Sequence, residues 1–367
     1  MAETLQRRFA ARSAAIVGLA FLFVGAAFAQ HYTRTDLTTN SSSVSSAPNI
    51  DANLVNPWGL SRATSSPWWV SDNGTGLSTL YDLTGAIQSL VVTVPPAKDA
   101  QGPSAPTGTV FNYTTGFNVA PGAPAVFIFV SEDGTITGWN PAVDLLNAVL
   151  MVNHPGKAIF KGCAIASTDK GARLYVSNFK TGVVEVYNDQ FHRLAAEEKF
   201  KDSTLPPNYV PFGIQNVGGN IVVTFAQRNP GSTDENHGPG LGYVRVFDTK
   251  GQVLLRVEHG TFLNAPWGIA MAPGDFGPFS HRLLIGNFGD GKINAFNALS
   301  GKFEGALLDP NGSSLAIDGL WALSFAGDST TNGLPTDLYF TAGPNDEGAG
   351  VFGKLTATAT EQRGNSE

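Results

Sequence analysis

The sequence predicts an all-β fold, a closed ring of six four-stranded sheets, and two observations support that prediction. The first is a recurring opening, Pro-aromatic-Gly-aliphatic, found in Asn56-Pro-Trp-Gly-Leu60, Val210-Pro-Phe-Gly-Ile214 and Asn264-Ala-Pro-Trp-Gly-Ile269, with a degenerate copy in Asp318-Gly-Leu-Trp-Ala-Leu323. The second is an aromatic residue followed by Asn or Asp at the end of the third strand in five units: Tyr81-Asp82, Trp139-Asn140, Tyr187-Asn188, Phe247-Asp248 and Phe296-Asn297. Four short strands per unit, repeated about every 50 residues, are typical of a β-propeller, and six openings predict six blades.

The individual strands are short, rich in β-branched and aromatic residues, and bounded by Gly, Asn, Asp or Pro. The second and third units open at Pro106 and Gly162. Behind each opening we predict further strands at 68–71, 78–81 and 89–94, at 126–130 and 136–140, at 173–177 and 183–188, at 220–224 and 243–248, at 282–285 and 292–297, and at 337–341 and 351–355.

The sixth unit provides only three strands before a polar tail at 356–367. A ring that does not close leaves a strand edge open to aggregation. The alternating stretch 32–37 lies outside the repeats. We therefore predict that this N-terminal strand pairs with the last strand of the C-terminal unit and closes the ring.

The first 29 residues have the pattern of a signal peptide. Arg7, Arg8 and Arg12 precede the apolar run 14–27, and Ala27-Phe-Ala29 matches a small-x-small cleavage site. The alternative is an uncleaved anchor. We expect a signal peptide at 1–29, a closing strand and Ser-rich lead-in at 30–52, a propeller at 53–355 and the tail at 356–367. The product would be exported to the periplasm or the cell exterior, by the Sec or the twin-arginine route.

Composition bears on nucleic-acid and membrane partners and on the role of the single cysteine. The net charge is −7 and no basic run follows the leader, which argues against nucleic acid. No later apolar run is long enough to cross a bilayer, and a monomer is expected. The single cysteine, Cys163, lies in the apolar stretch Gly162-Cys-Ala-Ile-Ala166. It is interpreted as a buried small hydrophobe rather than a catalytic thiol.

The repeat resembles a known type. Pro-x-Gly-Ile, then an aliphatic strand with Val-Ser-Asp/Asn, a Gly turn, and Val-x-Val-aromatic-Asn/Asp resembles NHL-type propeller repeats, from Asn56 to Leu355. Asn53-Leu-Val-Asn-Pro-Trp-Gly59 and Asn264-Ala-Pro-Trp-Gly268 resemble an uncharacterised family of secreted bacterial NHL-like propellers, for which no activity is established. Better-known relatives of the fold, lactonases of the gluconolactonase type and streptogramin lyases, use a divalent metal in the channel mouth. No motif specific to either is present, so any chemistry taken from them is analogy at the level of the fold.

Polar residues predict where a site would lie. In a propeller, the loops into first strands and those between second and third strands share one face. Six oxygen-bearing residues of these loops are candidate ligands for Ca²⁺ or another divalent cation: Asn56, Asp72, Asn178, Asn264, Asn287 and Asp318. The alternative is that tight turns simply need Asn and Asp.

The fourth unit departs from the repeat in one long loop, 227–242, on that same face. Long loops in compact domains are functional or disordered. Asp234, Glu235 and His237 of this loop could provide a base or ligands, and Asp318 is a further candidate base. A solvated polar loop is the alternative. The catalytic candidates are therefore Asp318, Asp234 and His237.

Three functions remain open from the sequence. The first is a module that binds a small molecule, a protein or a glycan. The second is a divalent-metal-dependent hydrolase or lyase acting on a small ester or lactone in the channel mouth. The third is a purely structural envelope protein. The sequence contains no Gly-x-Ser-x-Gly elbow, no His-Glu-x-x-His and no Gly-Lys-Ser/Thr loop, and so indicates no particular reaction.

Overall fold

The computed structural model describes residues 31–195 and 199–358, and these form six sheets of four or five strands, the blades, around one axis. The leader predicted at 1–29 and most of the polar tail lie outside the described residues. In the described part, a single 3₁₀-helix, Gly277–Phe279, interrupts the strands. The prediction of a six-bladed β-propeller is confirmed.

The strands follow the chain from the inner to the outer edge of each blade. The chain begins with β1 (Tyr32–Thr39) and β2 (Asn49–Ile50), which belong to the sixth blade. Blade 1 contains β3 (Pro57–Ser61), β4 (Trp68–Asp72), β5 (Leu77–Tyr81) and β6 (Val92–Thr93). Blade 2 contains β7 (Pro106–Phe111), a small hairpin of β8 (Asn118–Ala120) and β9 (Ala123–Pro124), then β10 (Phe127–Ser131), β11 (Thr135–Trp139) and β12 (Val149–Asn153).

The remaining blades repeat this order. Blade 3 contains β13 (Phe160–Thr168), β14 (Gly171–Asn178), β15 (Val183–Asn188) and β16 (Arg193–Leu194). Blade 4 contains β17 (Tyr209–Val217), β18 (Asn220–Gln227), β19 (Gly242–Phe247) and β20 (Val253–Arg256). Blade 5 contains β21 (Pro266–Met271), β22 (Arg282–Asn287), β23 (Ile293–Asn297) and β24 (Phe303–Ala306). Blade 6 contains β25 (Leu320–Phe325), β26 (Leu338–Ala342) and β27 (Val351–Ala357).

The N-terminal strand closes the ring, as predicted. β1 pairs antiparallel with β27 from Tyr32 opposite Ala357 to Thr39 opposite Val351. β2 adds to the outer edge of β1 in parallel, which gives the sheet order β2-β1-β27-β26-β25. The first and last described strands of the chain therefore share one blade, and unfolding of either end would open the ring.

Glycines mark the places where neighbouring inner strands touch. A Cβ added to Gly108 would lie 2.6 Å from the amide nitrogen of Cys163, and one added to Gly268 would lie 2.6 Å from the carbonyl oxygen of Trp321. A Cβ on Gly213 would overlap the carbonyl oxygen of Trp267. Distances this short exclude any side chain, so the recurring glycine is required by the approach of the next blade.

Large aromatic side chains fill the space between blades. Between blades 1 and 2, for example, Trp69 stacks on Phe127 with ring centroids 4.2 Å apart, and Trp139 lies 4.7 Å away. Two features differ from the sequence prediction. The β8–β9 hairpin interrupts the connection between β7 and β10, and the outer strand predicted at 89–94 is only two residues long.

The helices of the described chain give no sign of a transmembrane segment, since none has the length and apolar character needed to cross a bilayer.

Replacement of the inner-strand glycines tests this packing. Gly213→Ala should lower the free energy of unfolding by about 3 kcal/mol, because its Cβ meets the rigid backbone of the next blade. Gly162→Ala is the matched control, since the nearest atom to its Cβ would be the Phe212 carbonyl oxygen at 3.3 Å, and it should cost less than about 1 kcal/mol. Urea unfolding of both variants measures the difference, and equal losses would contradict the packing described above.

Candidate ligand-binding site at the channel mouth

Each inner strand places one residue at an equivalent position around the axis, just before a glycine in blades 1 to 5 and just before Ala322 in blade 6. In blade order they are Trp58, Thr107, Lys161, Phe212, Trp267 and Trp321. Four of them, Trp58, Phe212, Trp267 and Trp321, form what we call the aromatic plug. Trp58 stacks on Trp321 at 3.5 Å between ring centroids, while Trp267 meets both rings edge-on at 5.9 and 5.7 Å. All four are buried, so they belong to the core and do not form an exposed ligand platform.

Lys161 is the one charged residue at these six positions. Its side chain is 2% exposed, and its Nζ lies 4.9 Å from the ring centre of Trp58 and 5.3 Å from that of Phe179. Contacts of this kind favour a cation. Burial alone would lower the pKa of Lys161, but attraction by Glu132 and Glu235 outweighs burial and raises the pKa. The ammonium group therefore stays charged on the axis of the ring.

Carboxylates from three blades converge on this ammonium. Glu132, in the turn after β10, pairs with the Lys161 Nζ at 2.6 Å. Asp234 and Glu235, in the loop between β18 and β19, lie 3.4 and 3.9 Å from the same atom. The fourth carboxylate, Glu347, lies between β26 and β27 and interacts electrostatically with Lys161, Glu132 and Glu235. We call these four carboxylates the acidic mouth.

One oxygen of the acidic mouth has no hydrogen bond. The Glu235 side chain is 4% exposed, and its Oε2 is buried without a hydrogen-bond partner, since 3.9 Å from Lys161 is an ion-pair distance only. A buried carboxylate oxygen normally accepts hydrogen bonds or coordinates a cation. Its lack of a partner indicates a position where a donor or a cation would be stabilised.

The loop that carries Glu347 is held in an unusual conformation. Asn345, Asp346 and Glu347 are three consecutive non-glycine residues with positive φ, of 58°, 54° and 63°. Left-handed backbone is costly for such residues and is retained where surrounding contacts enforce it. Here the Asn345 amide donates to Asp318, and the Glu347 carboxylate accepts a 2.5 Å hydrogen bond from the amide of Asn56. Strain of this kind is common at binding sites.

His237 borders the acidic mouth and is half-exposed. Its Nε2 lies 3.5 Å from Oε1 of Glu235, and its ring meets Phe288 edge-on at 5.0 Å. The hydrogen bond to Glu235 raises the pKa of His237, burial opposes the shift, and the charges of Glu235, Glu347 and Asp346 add to it. The acidic mouth therefore favours positive charge at the His237 imidazole as well as at the Lys161 ammonium.

The predicted catalytic candidates all lie at this mouth. Asp234 contacts Lys161, and His237 contacts Glu235. Asp318 is exposed and accepts the backbone hydrogen bond that holds the Glu347 loop. Their catalytic roles stay a prediction.

The six predicted metal ligands all take part in hydrogen bonds with protein groups, and two of them, Asn56 and Asp318, hold the Glu347 loop. Asn56 accepts a hydrogen bond from the Trp321 indole, and Asn264 accepts one from the amide of Gly238. Asp72, Asn178 and Asn287 are fully buried in their own blades. Asp72 bonds to Thr79 and Asn178 to Glu185 on the adjacent strand, and Asn287 bonds to Asp290 in the same turn. One side-chain oxygen each of Asp72 and Asn287 has no hydrogen-bond partner.

Burial raises the pKa of Asp72 well above its usual range. Within the described ranges, no group of three or more His, Cys, Asp and Glu side chains has a metal-binding arrangement. Four of the six predicted ligands are asparagines, and metal binding by the six residues stays a prediction.

Sequence reasoning missed Lys161. The signal was present, because Phe160-Lys161-Gly162 occupies the register of Pro57-Trp58-Gly59. A charged residue where the repeat places aromatic rings could have been singled out as a departure. Cys163 is buried, as expected, and burial raises the pKa of its thiol.

The fold and this site define the chain as a six-bladed β-propeller whose loops gather over a plugged channel. The chain is 32% identical over 323 residues to the uncharacterised protein L690 of Acanthamoeba polyphaga mimivirus, covering 84% of this chain and 82% of that protein. It is also 32% identical over 294 residues to the uncharacterised protein R648 of the same virus, with coverages of 77% and 72%. The chain belongs to the family of these proteins.

These relatives change the expectation drawn from the resemblance. Both relatives are viral proteins, so they do not support the expected bacterial origin of the family. Both are uncharacterised, which agrees with the expectation that the family has no established activity. No family model matches the chain, which leaves the NHL assignment without support.

Solved structures share the fold at low sequence identity. A streptogramin B lyase superimposes with a TM-score of 0.51 and 11% identity, covering 90% of this chain and 99% of the lyase. A glucose dehydrogenase superimposes with a TM-score of 0.54 and 12% identity, covering 89% and 100%. Likenesses at this identity show the propeller fold alone.

Removal of the Lys161 charge tests how the acidic mouth is held. Lys161→Met should lower the free energy of unfolding by about 3 kcal/mol, since it leaves Glu235 and Glu132 without their counterion. Glu235→Gln in the same background should recover part of that loss. A double-mutant cycle by urea unfolding measures the coupling, and additive single losses would show that the pair does not act as a unit.

The His237 pKa provides an independent test. NMR titration of the imidazole should place this pKa above about 6.5, and Glu235→Gln should lower it. Because the folded-state pKa is raised, the stabilisation from this pair is complete below the unfolded pKa and is lost as pH rises through the folded pKa. The control is the remote variant Glu304→Gln, which should leave the His237 pKa unchanged. An unchanged His237 pKa in the Glu235→Gln protein would contradict the described contact.

Proposed function

We propose that this protein is an exported ligand-binding propeller whose acidic mouth takes a cation. The observation that carries the proposal is the unpartnered Oε2 of Glu235, buried beside the aromatic plug. Three carboxylates pair with one ammonium and a fourth, Glu347, interacts with it electrostatically, so the mouth has a local net charge of −3 when all four carboxylates are ionised and His237 is neutral. A field of this sign attracts cations and repels anions.

The depth of the mouth favours a small ligand. Lys161 and the aromatic plug close the channel below it, and the loops of blades 2, 4 and 6 enclose it from the side. Carboxylate and amide oxygens are the ligands that Ca²⁺ prefers, and its flexible coordination suits carboxylates that, among the described residues, are not yet gathered into one ligand set. We therefore propose Ca²⁺ as the first ligand to test, with small organic cations as the second.

A metal-dependent hydrolase or lyase is the second candidate. The observation that favours it is the position of His237 and Asp234, which lie beside the proposed cation site and could accept a proton there. Turnover of lactones or esters by the Ca²⁺-loaded protein would support this reading over the binding module.

Thermal unfolding tests the proposal. After treatment with EDTA, addition of Ca²⁺ should raise the Tm in a saturable way, since a ligand at about 100 times its Kd stabilises the native state by about 2.7 kcal/mol. Mg²⁺, Zn²⁺ and choline are compared in parallel.

Two variants make this result specific to the acidic mouth. Glu235→Gln should abolish the shift, while Asp169→Asn, on an exposed turn between β13 and β14, should retain it. The proposal fails if no cation raises the Tm, or if the Glu235→Gln protein responds like the wild type.

A further inference from the structure

The opposite end of the channel is open, and its chemistry differs from that of the acidic mouth. Below the aromatic plug, the next inward-facing positions of the inner strands form a second ring: Leu60, Thr109, Cys163, Ile214, Ile269 and Leu323. These residues line an axial cavity of about 40 Å³. Four of the six side chains in this ring are aliphatic, and the backbone exposed between them makes the surface of the cavity mixed in polarity.

Two larger cavities continue from this ring to the surface. One, of about 430 Å³, shares Leu60, Thr109 and Gln215 with the axial cavity. The other, of about 320 Å³, shares Gln215, Ile269 and Leu323 with it. Gln215 lines all three, so they adjoin one another below the plug, and we call the three together the funnel. Cavities of a few hundred Å³ are the size of small-molecule sites.

The rim of this funnel is polar and carries a positive charge. Ser61, Asn216 and Ser324 provide hydroxyl and amide groups. Arg62 is the one charged side chain among the residues that line the three cavities, and none of those lining residues is acidic. Its Nε and one terminal nitrogen donate to the carbonyl oxygen of Phe325 at 3.0 and 2.9 Å, which fixes the guanidinium at the rim.

We infer that this funnel binds a small amphiphilic carboxylate, with its apolar chain directed towards the aliphatic ring and its carboxylate at the Arg62 rim. The aliphatic depth stabilises methylene groups in proportion to the area they bury. The ligand carboxylate would contact the Arg62 guanidinium, whose position is fixed and whose other terminal nitrogen still has N–H groups to donate. Arginine recognises planar carboxylates well. The acidic mouth at the other end repels the same molecule, so the two ends of one channel select ligands of opposite charge.

The site is distinct from the acidic mouth, because the aromatic plug lies between them. The inference therefore does not depend on the function proposed above, and either one can fail alone.

Isothermal titration with octanoate tests the inference. Octanoate should bind the wild-type protein saturably, and each methylene removed in heptanoate and hexanoate should weaken binding about threefold to fourfold. Arg62→Gln should weaken octanoate binding about tenfold while leaving octan-1-ol binding nearly unchanged.

Substitutions that fill the funnel test whether octanoate binds there. Ser324→Trp, at a half-buried position in the wall of both large cavities, should weaken octanoate binding at least about tenfold. Gln215→Trp is a second such variant should Ser324→Trp not fold. Ile87→Trp, at an exposed site before β6, is the matched control and should bind like the wild type. The inference is overturned if octanoate does not bind the wild type in the millimolar range, or if the folded funnel variants bind it as tightly as Ile87→Trp does.

Discussion

The close approach of the inner strands around the axis is the constraint on which the rest of this structure depends. Six twisted sheets can close into a ring only if their first strands come near enough for backbones to touch. At Gly108 and Gly268 there is no space for even one methyl group. The side chain just before each of these positions then has one direction left, towards the axis, and the identity of that side chain decides what the channel contains.

Four aromatic rings fill most of this space, and Lys161 fills part of the remainder. A buried ammonium requires compensation, because removing an ion from water costs several kcal/mol. Compensation here comes from loops of neighbouring blades, through Glu132 and the Asp234–Glu235 pair. The lysine thereby draws together loops that the repeat alone would leave apart. The excess of carboxylates over ammonium then makes the mouth acidic.

The plug also separates two environments within a single channel. Above it lie charged and strained loops, and below it lies an aliphatic ring that widens towards a rim with Arg62. A ring of near-identical units would present the same chemistry from every blade on a given face. The departures from the repeat, such as the long loop between β18 and β19 and the lysine in blade 3, make the ends different.

Most of the fold could be predicted from the sequence, because local patterns determine it. Alternation and turn residues indicated the strands, and the three-stranded sixth unit indicated closure by the N-terminal strand, which pairs as expected with β27. The length of the outer strands was harder to predict, since β6 and β16 have few partners and end early.

The site was predicted in part, because its position follows from the fold but its geometry does not. The long loop of blade 4 was located on the correct face, and Asp234 and His237 lie where a site would need them. The predicted ligands Asp72, Asn178 and Asn287 make hydrogen bonds within their own blades, while one side-chain oxygen each of Asp72 and Asn287 stays without a partner, so their role as ligands stays a prediction. Contacts such as that of Lys161 with Glu132 join residues of different blades, and no local pattern reports them.

Hydrogen–deuterium exchange of the segment 228–241 tests most directly whether Lys161 organises the mouth. Its amides are protected by contacts such as Gly238 to the Asn264 side chain and Gly240 to Leu263. In the Lys161→Met protein, exchange in this segment and around Glu347 should become faster while the strands β13 and β18 keep their protection. Unchanged exchange in the loops of a folded Lys161→Met protein would contradict the central role of this lysine.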